Sequence, residues 1–525
     1  MVRSRSRERS TTYLAVALVA CLVGVATVAA QGRRRAPSPS EPSITLVLGR
    51  PTDTSVVLSV LASAAVEAFV EFGPKEGAYP NRTATASGAG GEPLEIAIEG
   101  LSANTRYHYR LRHRRPGQAD FEARTPETFM TARSPGVAFT FGVQGDSHPE
   151  RAGRMFDETL YRRTMDLVAK ARPDFYLMLG DDFSIERLIA SGTTSQATVD
   201  AVYALQRPFL GRMTGSTSLF LVNGNHEEAA RFLLDGTPNN PAVYAAKART
   251  RFFPLPAPDR FYSGNDTVED HIGLLRDYYA WTWGDALFVV IDPYWHSQTQ
   301  VDAAPGGGGG GNRGGRGGAR ERDQAAGQGA RGQRPPAGGN AARAAGRNRN
   351  LWSVTLGDAQ YAWLKRTLEG SRARYKFVFA HHVMGTGRGA VEGADLYEWG
   401  GRDPRGATTF REQRPTWDLP IHQLMVKTGV TIFFQGHDHL FARQDKDGVI
   451  YQEVPNPADA TYTAFNRKAY RSGDILPNAG YLLVTVAPED VRVDYVRAYM
   501  AVDDADGRKH GEVAFSYRVS ARSPK

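Results

Sequence analysis

The sequence predicts an α/β chain with an all-β sandwich placed ahead of it. Three observations carry that reading. From about residue 137 onward, apolar strand-like runs alternate with amphipathic helical spacing; a block of short alternating runs stands before them; and a polar, chemistry-bearing cluster follows each of five apolar runs. At 525 residues the chain exceeds what one hydrophobic core usually organises, so at least two folded units plus some unstructured sequence are expected. A hydrophobic share of 41% and a mean hydropathy of -0.41 exclude a membrane-embedded body.

Residues 1–30 depart from that average. Arg3, Arg5, Arg7 and Arg9 precede an uncharged run of 18 residues from Tyr13 to Ala30, and Val28-Ala29-Ala30 stands before Gln31. A basic flank, an apolar run and a small-residue end form the pattern of a removable export signal, which predicts a secreted or periplasmic protein. The same run has the lower-limit length of a spanning helix, so an N-terminal anchor is the alternative, and membrane attachment is expected only if the segment is retained. Leu18-Val19-Ala20-Cys21 also resembles a lipoprotein acceptor, but the apolar run continues past Cys21. Cys21 is the only cysteine. Removal of the segment therefore leaves neither a disulfide framework nor thiolate metal ligands, and any metal site must use His, Asp, Glu or Asn.

The net charge of +8 is unevenly placed: residues 1–40 carry +6 and residues 301–350 carry +6, which leaves the rest of the chain at -4. The basicity belongs to a tail and an insert, so nucleic acid is not an expected partner of the folded part. Residues 31–41 (QGRRRAPSPSE) read as a linker. Residues 302–350, built from Gly, Arg, Ala, Gln and Asn without apolar periodicity, read as a disordered surface insert. A Gly/Arg tract can also bind RNA, which would show as binding that weakens steeply with salt.

Between 42 and 133 the runs Ile44–Leu48, Ser55–Ser59, Ala68–Phe72 and Tyr107–Leu111 are punctuated by turns, the pattern of an antiparallel sandwich. The stretch Gly100-Leu101-Ser102-Ala103-Asn104-Thr105-Arg106-Tyr107 resembles the leucine-to-tyrosine corner of fibronectin type III domains. From 137 to about 520 the texture is α/β. Ala138–Val143 and Phe175–Leu179 read as strands, Met155 to Ala171 as a helix, and the aromatic runs Tyr278–Trp283 and Leu287–Trp295 as paired core strands.

Five clusters follow such runs in order: Gly145-Asp146-Ser147-His148, Gly180-Asp181-Asp182, Gly224-Asn225-His226-Glu227, His381-His382 and Gly436-His437-Asp438-His439. Open α/β sheets place ligand sites at the carboxyl ends of strands. Carboxylates and imidazoles are the donor set suited to Zn, Mn, Fe or Mg, and one carboxylate can bridge two cations that clamp an in-line displacement. Asp146-Ser147-His148 and Gly180-Asp181-Asp182 each have a bland reading as a turn, whereas Gly224-Asn225-His226-Glu227 and Gly436-His437-Asp438-His439 favour function on their own, and all five in order leave the bland reading little room.

The order and content of the clusters resemble the calcineurin-like metallophosphoesterases over residues 138–445. The resemblance implies a four-layer metallophosphoesterase β-sandwich flanked by helices and a centre of two divalent or mixed-valence ions (Fe, Mn or Zn). It puts Asp146, His148 and His439 on the first metal, Asn225, His381 and His437 on the second, and Asp181 between them. His226 would face the phosphate as general acid and Glu227 would orient it. His381 is preferred to His382 because it directly follows the strand Phe377–Ala380. The implied reaction is hydrolysis of a phosphate ester, with a small phosphomonoester favoured, by hydroxide that the metals activate. Diesters and pyrophosphates are alternatives on the same scaffold, and a non-catalytic cell-surface binding protein is the alternative from another class.

The chain is also similar to purple acid phosphatases in its N-terminal block, in Gly-Asn-His-Glu and in Gly-His-x-His. It departs from them at His148, where they have glycine, and at Ser184, where they carry the iron-binding tyrosine. No purple charge-transfer band is therefore expected. Tyr294, Trp295, His296, Asp395, Glu398 and Trp399 are candidates to wall the substrate cleft, since they fall just past strand ends or between ligand clusters.

Overall fold

Alternation along residues 44–130 becomes two facing sheets. Ile44–Gly49 and Pro93–Glu99 flank Ser55–Ala62 antiparallel in one sheet. In the other, Arg106–Arg114 lies between Val66–Gly73 and Glu127–Met130. Arg106–Arg114 shows the cause: Tyr107, Tyr109 and Leu111 point inward, while Arg110 and Arg114 point outward to Glu71 and Glu67. The inward residues meet Leu46, Leu48, Val56, Leu58, Ile96 and Ile98 in one core. Pro93–Glu99 and Glu127–Met130 are strands beyond those expected; the first has the right alternation behind a proline, and the second is too short to stand out.

The computed structural model describes residues 43–299, 351–383, 388–505 and 507–521. The expected export signal or anchor, the linker 31–41 and the Gly/Arg insert 302–350 lie outside the described residues. Among the described residues no helix is long and apolar enough to cross a membrane.

Beyond the first block two large sheets pack face to face. In one, Gly480–Val486, Phe139–Gln144, Phe175–Met178 and Ser218–Leu221 are neighbours in that order, the last three mutually parallel. In the other, Tyr279–Trp283 pairs antiparallel with Ala286–Val290, and Ala286–Val290, Tyr375–Phe379 and Ile432–Gln435 run parallel. The faces meet through an aromatic layer in which Phe220 stacks on Trp281 at 4.1 Å and Phe141 on Phe175 at 5.5 Å. Helices Glu158–Ala171, Gln196–Leu210 and Pro241–Phe252 cover the outer face of the first sheet; Gly357–Gly370 and Ile421–Thr428 cover that of the second. The result is four layers, helix, sheet, sheet, helix. Buried on both faces, the central strands are continuous apolar runs, which is why they were legible in the sequence.

Two details differ from expectation. The helix expected from Met155 begins at Glu158, because the Asp157 side chain accepts the Leu160 N–H at 2.9 Å and caps it there. Second, the first block shares a sheet with the α/β body: Ile44–Gly49 pairs parallel with Ser218–Leu221 at Gly49 and Leu219. Ile44–Lys525 forms one compact unit. Thr214 Oγ1 donates to Leu46 O at 2.7 Å, and the Tyr109 hydroxyl donates to Gly215 O at 2.7 Å. Arg207, fully buried on helix Gln196–Leu210, donates to Thr45 O at 3.2 Å, Ser59 O at 2.9 Å and Ser59 Oγ at 3.0 Å.

Candidate metal centre

Each of the five clusters leaves the carboxyl end of a strand: Asp146 after Phe139–Gln144, Asp181 after Phe175–Met178, Asn225 after Ser218–Leu221, His381 after Tyr375–Phe379 and His437 after Ile432–Gln435. Parallel strands with matched registers bring these ends to one place, three from one sheet and two from the other. The backbone turns hard there. His148, Asp181, His437 and His439 all have positive φ, between 50° and 78°, conformations that cost about 1–3 kcal/mol each and persist where the surroundings impose them. The flanking glycines serve close approach: a Cβ on Gly224 would overlap Asp181, and one on Gly436 would lie 2.6 Å from Asp146 Oδ1.

Asp146 and Asp181 are the hubs. Asp146 Oδ2 lies 2.8 Å from His439 Nε2 and 3.6 Å from His148 Nε2, and its Oδ1 accepts the His437 N–H at 2.7 Å. Asp181 Oδ2 faces three imidazoles, His381 Nε2 at 3.1 Å, His226 Nε2 at 3.7 Å and His148 Nε2 at 3.8 Å. His437 Nδ1 lies 3.2 Å from His381 Nε2. The donors fall into overlapping groups with metal-site spacing: Asp146, Asp181, His381 and His437; Asp146, His148 and His439; and His148, Asp181 and His226. Asp146 stands in two of these groups, as Asp181 does. Asn225 is buried beside them and lines a small recess with Gly224, Glu228 and Tyr294.

The chemistry of this set fits cations. Burial alone would raise the Asp146 carboxyl, but His381 and His439 hold it well below the usual range. Asp181 is likewise held low, by His381 and His226 against its burial. Burial works against a charged His381, yet Asp181 and Asp146 carry it up to about 10. Two ionised carboxylates in a dry interior thus require positive charge beside them. His148 Nε2 is buried without a hydrogen-bond partner and faces both carboxylates. Its other nitrogen is held by Glu150 Oε1 at 2.9 Å, the outer contact that aims a ligating imidazole. His381 is aimed the same way, its Nδ1 donating to Leu179 O at 2.8 Å. His382 turns aside to the Tyr294 hydroxyl, 2.8 Å from its Nδ1, and burial lowers it to about 3.

Residues 139–303 match the family described as calcineurin-like phosphoesterase. The chain carries a calcineurin-like phosphoesterase domain. The four layers agree with two solved structures: PhoD, at TM-score 0.58 and 14% identity over 93% of this chain and 92% of that one, and the purple acid phosphatase PPD1 from yellow lupin (Lupinus luteus) seeds, at TM-score 0.53 and 14% identity over 92% and 75%. At that identity the likeness is one of fold. No curated protein matches the chain in sequence. The phosphoesterase domain's buried Asp/His cluster is a site for two divalent metal ions.

Around this centre the structure assigns several residues differently from the sequence reading. Glu227, expected to orient His226, instead accepts backbone N–H groups from Asp181 at 3.0 Å, Asp182 at 2.8 Å, Phe183 at 3.1 Å and Gly224 at 2.7 Å. Buried at the junction of two loops, it is surrounded by peptide donors and clamps the Asp181 turn to the Gly224 turn. Glu186 takes the place by the histidine, its Oε2 lying 2.8 Å from His226 Nδ1. Burial opposes a charged His226, but Asp181 and Glu186 carry it up to about 10, with Arg151 opposing. Trp295 packs on Ala242 and Leu275, and Trp399 donates to the Tyr451 hydroxyl. Asp395 pairs with Lys446 and Glu398 with Arg414. His296 lines a separate cleft with Trp352 and Asp358. Of the six proposed wall residues, Tyr294 alone lines the recess beside Asn225.

Other supports had no signature of their own. Asp182 Oδ1 accepts Ser147 N–H at 3.2 Å and Ser147 Oγ at 2.5 Å, fixing the turn between Asp146 and His148. Asp438 accepts Gly389 N–H at 2.8 Å and the Tyr470 hydroxyl at 2.6 Å, bracing the turn between His437 and His439. Glu150, Arg151 and Glu186 lie two and three residues after His148 and five after Asp181. Nearness to a motif was the only signal, and it is shared by many surface residues.

Proposed function

We propose that this chain is an exported phosphomonoesterase in which Asp146, His148, Asp181 and His439 hold one divalent ion and Asp181, Asn225, His381 and His437 the other. The observation that carries the reading is the convergence of His148, from one ligand group, and His381, from the other, on one carboxylate oxygen of Asp181, which a bridging ligand requires. When bound, the pair of ions supplies charge neutralisation and activation of water near neutral pH. The chain's own groups do the rest. His226, held at Nδ1 by Glu186, presents its Nε2 edge to the leaving-group oxygen and protonates it. Glu227 keeps Asp181 and Gly224 in register, and the backbone N–H of His226 donates to Asp181 Oδ1 at 2.8 Å, so acid and bridge move as one unit. The intact donor set counts against a purely binding role.

Residues 42–133 we read as a fibronectin type III-like domain. Supporting this, the Tyr107 hydroxyl accepts the Ser102 N–H at 2.9 Å, the corner contact of such sandwiches. Export is supported by the basic and apolar N-terminal segment.

The test is to express residues 32–525, measure bound metal by elemental analysis, and assay para-nitrophenyl phosphate beside bis-para-nitrophenyl phosphate with and without added Mn or Zn. About two metals per chain and metal-dependent turnover favouring the monoester are expected. Absence of turnover in a chain carrying two metals would sink the proposal.

A further inference from the structure

Arg151 stands at the rim of the centre with nothing in the sequence reading to account for it. It ends the short turn Pro149–Arg151 that follows His148, and its side chain is 27% exposed. Its Nη2 lies 2.9 Å from His226 Nε2, its Nε 3.2 Å from Glu150 Oε1, and its Nη1 3.4 Å from the Met155 sulfur. A guanidinium only donates hydrogen bonds, and His226 Nε2 is the edge that must carry a proton to serve a leaving group, so the two are a poor pair at 2.9 Å. While Arg151 stands there, the Nε2 edge of His226 that faces Asp181 is covered. A thioether sulfur is a weak acceptor, so Nη1 also points at a poor partner. An anionic phosphoryl oxygen is a stronger acceptor than either, and the planar guanidinium fork matches it.

We infer that Arg151 binds the non-bridging oxygens of the substrate's phosphoryl group and, in moving to them, releases His226 Nε2 to serve the leaving group. The inference rests on the phosphoesterase reading of the same site and deepens it. Glu150 couples the two halves of the arrangement, since the carboxylate oxygen beside Arg151 Nε also holds His148 Nδ1 at 2.9 Å. A permanently charged fork outside the metal ligands favours a terminal phosphoryl dianion over a diester monoanion, so Arg151 sets the preference for monoesters.

The experiment uses the metal-loaded chain and the variants Arg151→Gln and Arg151→Lys. Inorganic phosphate binding is measured by titration calorimetry, and kcat and KM for para-nitrophenyl phosphate and bis-para-nitrophenyl phosphate are measured beside it, with metal content checked. Arg151→Gln is expected to keep both metals, to weaken phosphate binding by about tenfold or more, and to lower the monoester-to-diester ratio of kcat/KM by about as much; Arg151→Lys should recover part of both. Wild-type turnover with unchanged phosphate affinity and unchanged ratio in Arg151→Gln overturns the role of Arg151 alone. A wild type that holds two metals yet hydrolyses neither ester overturns the phosphoesterase reading beneath it.

Discussion

His226 and Glu227 are neighbours in sequence with opposite duties. His226 is mostly buried, its side chain 13% exposed, and touches Asp181 through its backbone N–H, whereas Glu227 is buried under four peptide N–H groups. His226→Ala should therefore keep both metals and lose about 10²–10⁴-fold in kcat, the usual worth of a positioned acid. Full activity in that variant would remove the acid role. Glu227→Gln exchanges a carboxylate that accepts four donors for an amide with one oxygen, so the Asp181 turn loosens. Its expected signature is metal affinity weakened about 10–100-fold, read by competition with a chelator. A normal metal affinity with depressed kcat would mean that Glu227 acts on His226 after all. The residue types and order of the seven proposed ligands were legible because strand-end carboxylates and histidines are sparse in apolar runs. Glu186 was not, because a glutamate in a short polar helix carries no mark of what it faces.

At the scale of elements, the strands that carry the site are short and buried on both faces, and their positions depend on what braces their ends. The sandwich enters here. Arg207 lies on helix Gln196–Leu210 and donates to Thr45 O, Ser59 O and Ser59 Oγ in the first block and to Phe252 O at 2.7 Å at the end of the next helix. Burial lowers its pKa to about 9, although a distant Glu95 pulls the other way. Removing one member of such a buried charged network leaves its acceptors without donors. Arg207→Ala is expected to destabilise the fold by about 3–5 kcal/mol in denaturant unfolding, with Arg207→Lys between it and wild type, because lysine keeps the charge but not the fork. Equal midpoints for wild type and Arg207→Ala would show that Arg207 is not what holds the sandwich to the α/β body.

For the whole molecule, the decisive fact is that the donors come from two sheets: Asp146, Asp181 and Asn225 from one, His381 and His437 from the other. Ions held there join the two layers and neutralise the two buried carboxylates that one of them carries. Saturating metal should add about 3 kcal/mol of stability per site at a hundredfold excess over Kd. Chelation should accordingly lower the melting temperature by several degrees, and Mn or Zn should restore it. A melting temperature indifferent to chelator would mean that the donors are held in place without cations.

The core strands and the candidate donor residues could be read directly from the chain, because apolar runs buried on both faces and donor-bearing turns leave local signatures. The sandwich strands were visible through their alternation, and a single cysteine, Cys21 in the N-terminal apolar run, left oxygen and imidazole as the expected metal donors. Giving Glu186 rather than Glu227 the place beside His226, merging the first block into the large sheet, and setting Arg151 against His226 Nε2 all required tertiary structure. Each of these depends on which side chain faces which across loops tens to hundreds of residues apart, and a property of pairs that distant leaves no trace in the local composition or spacing of either partner.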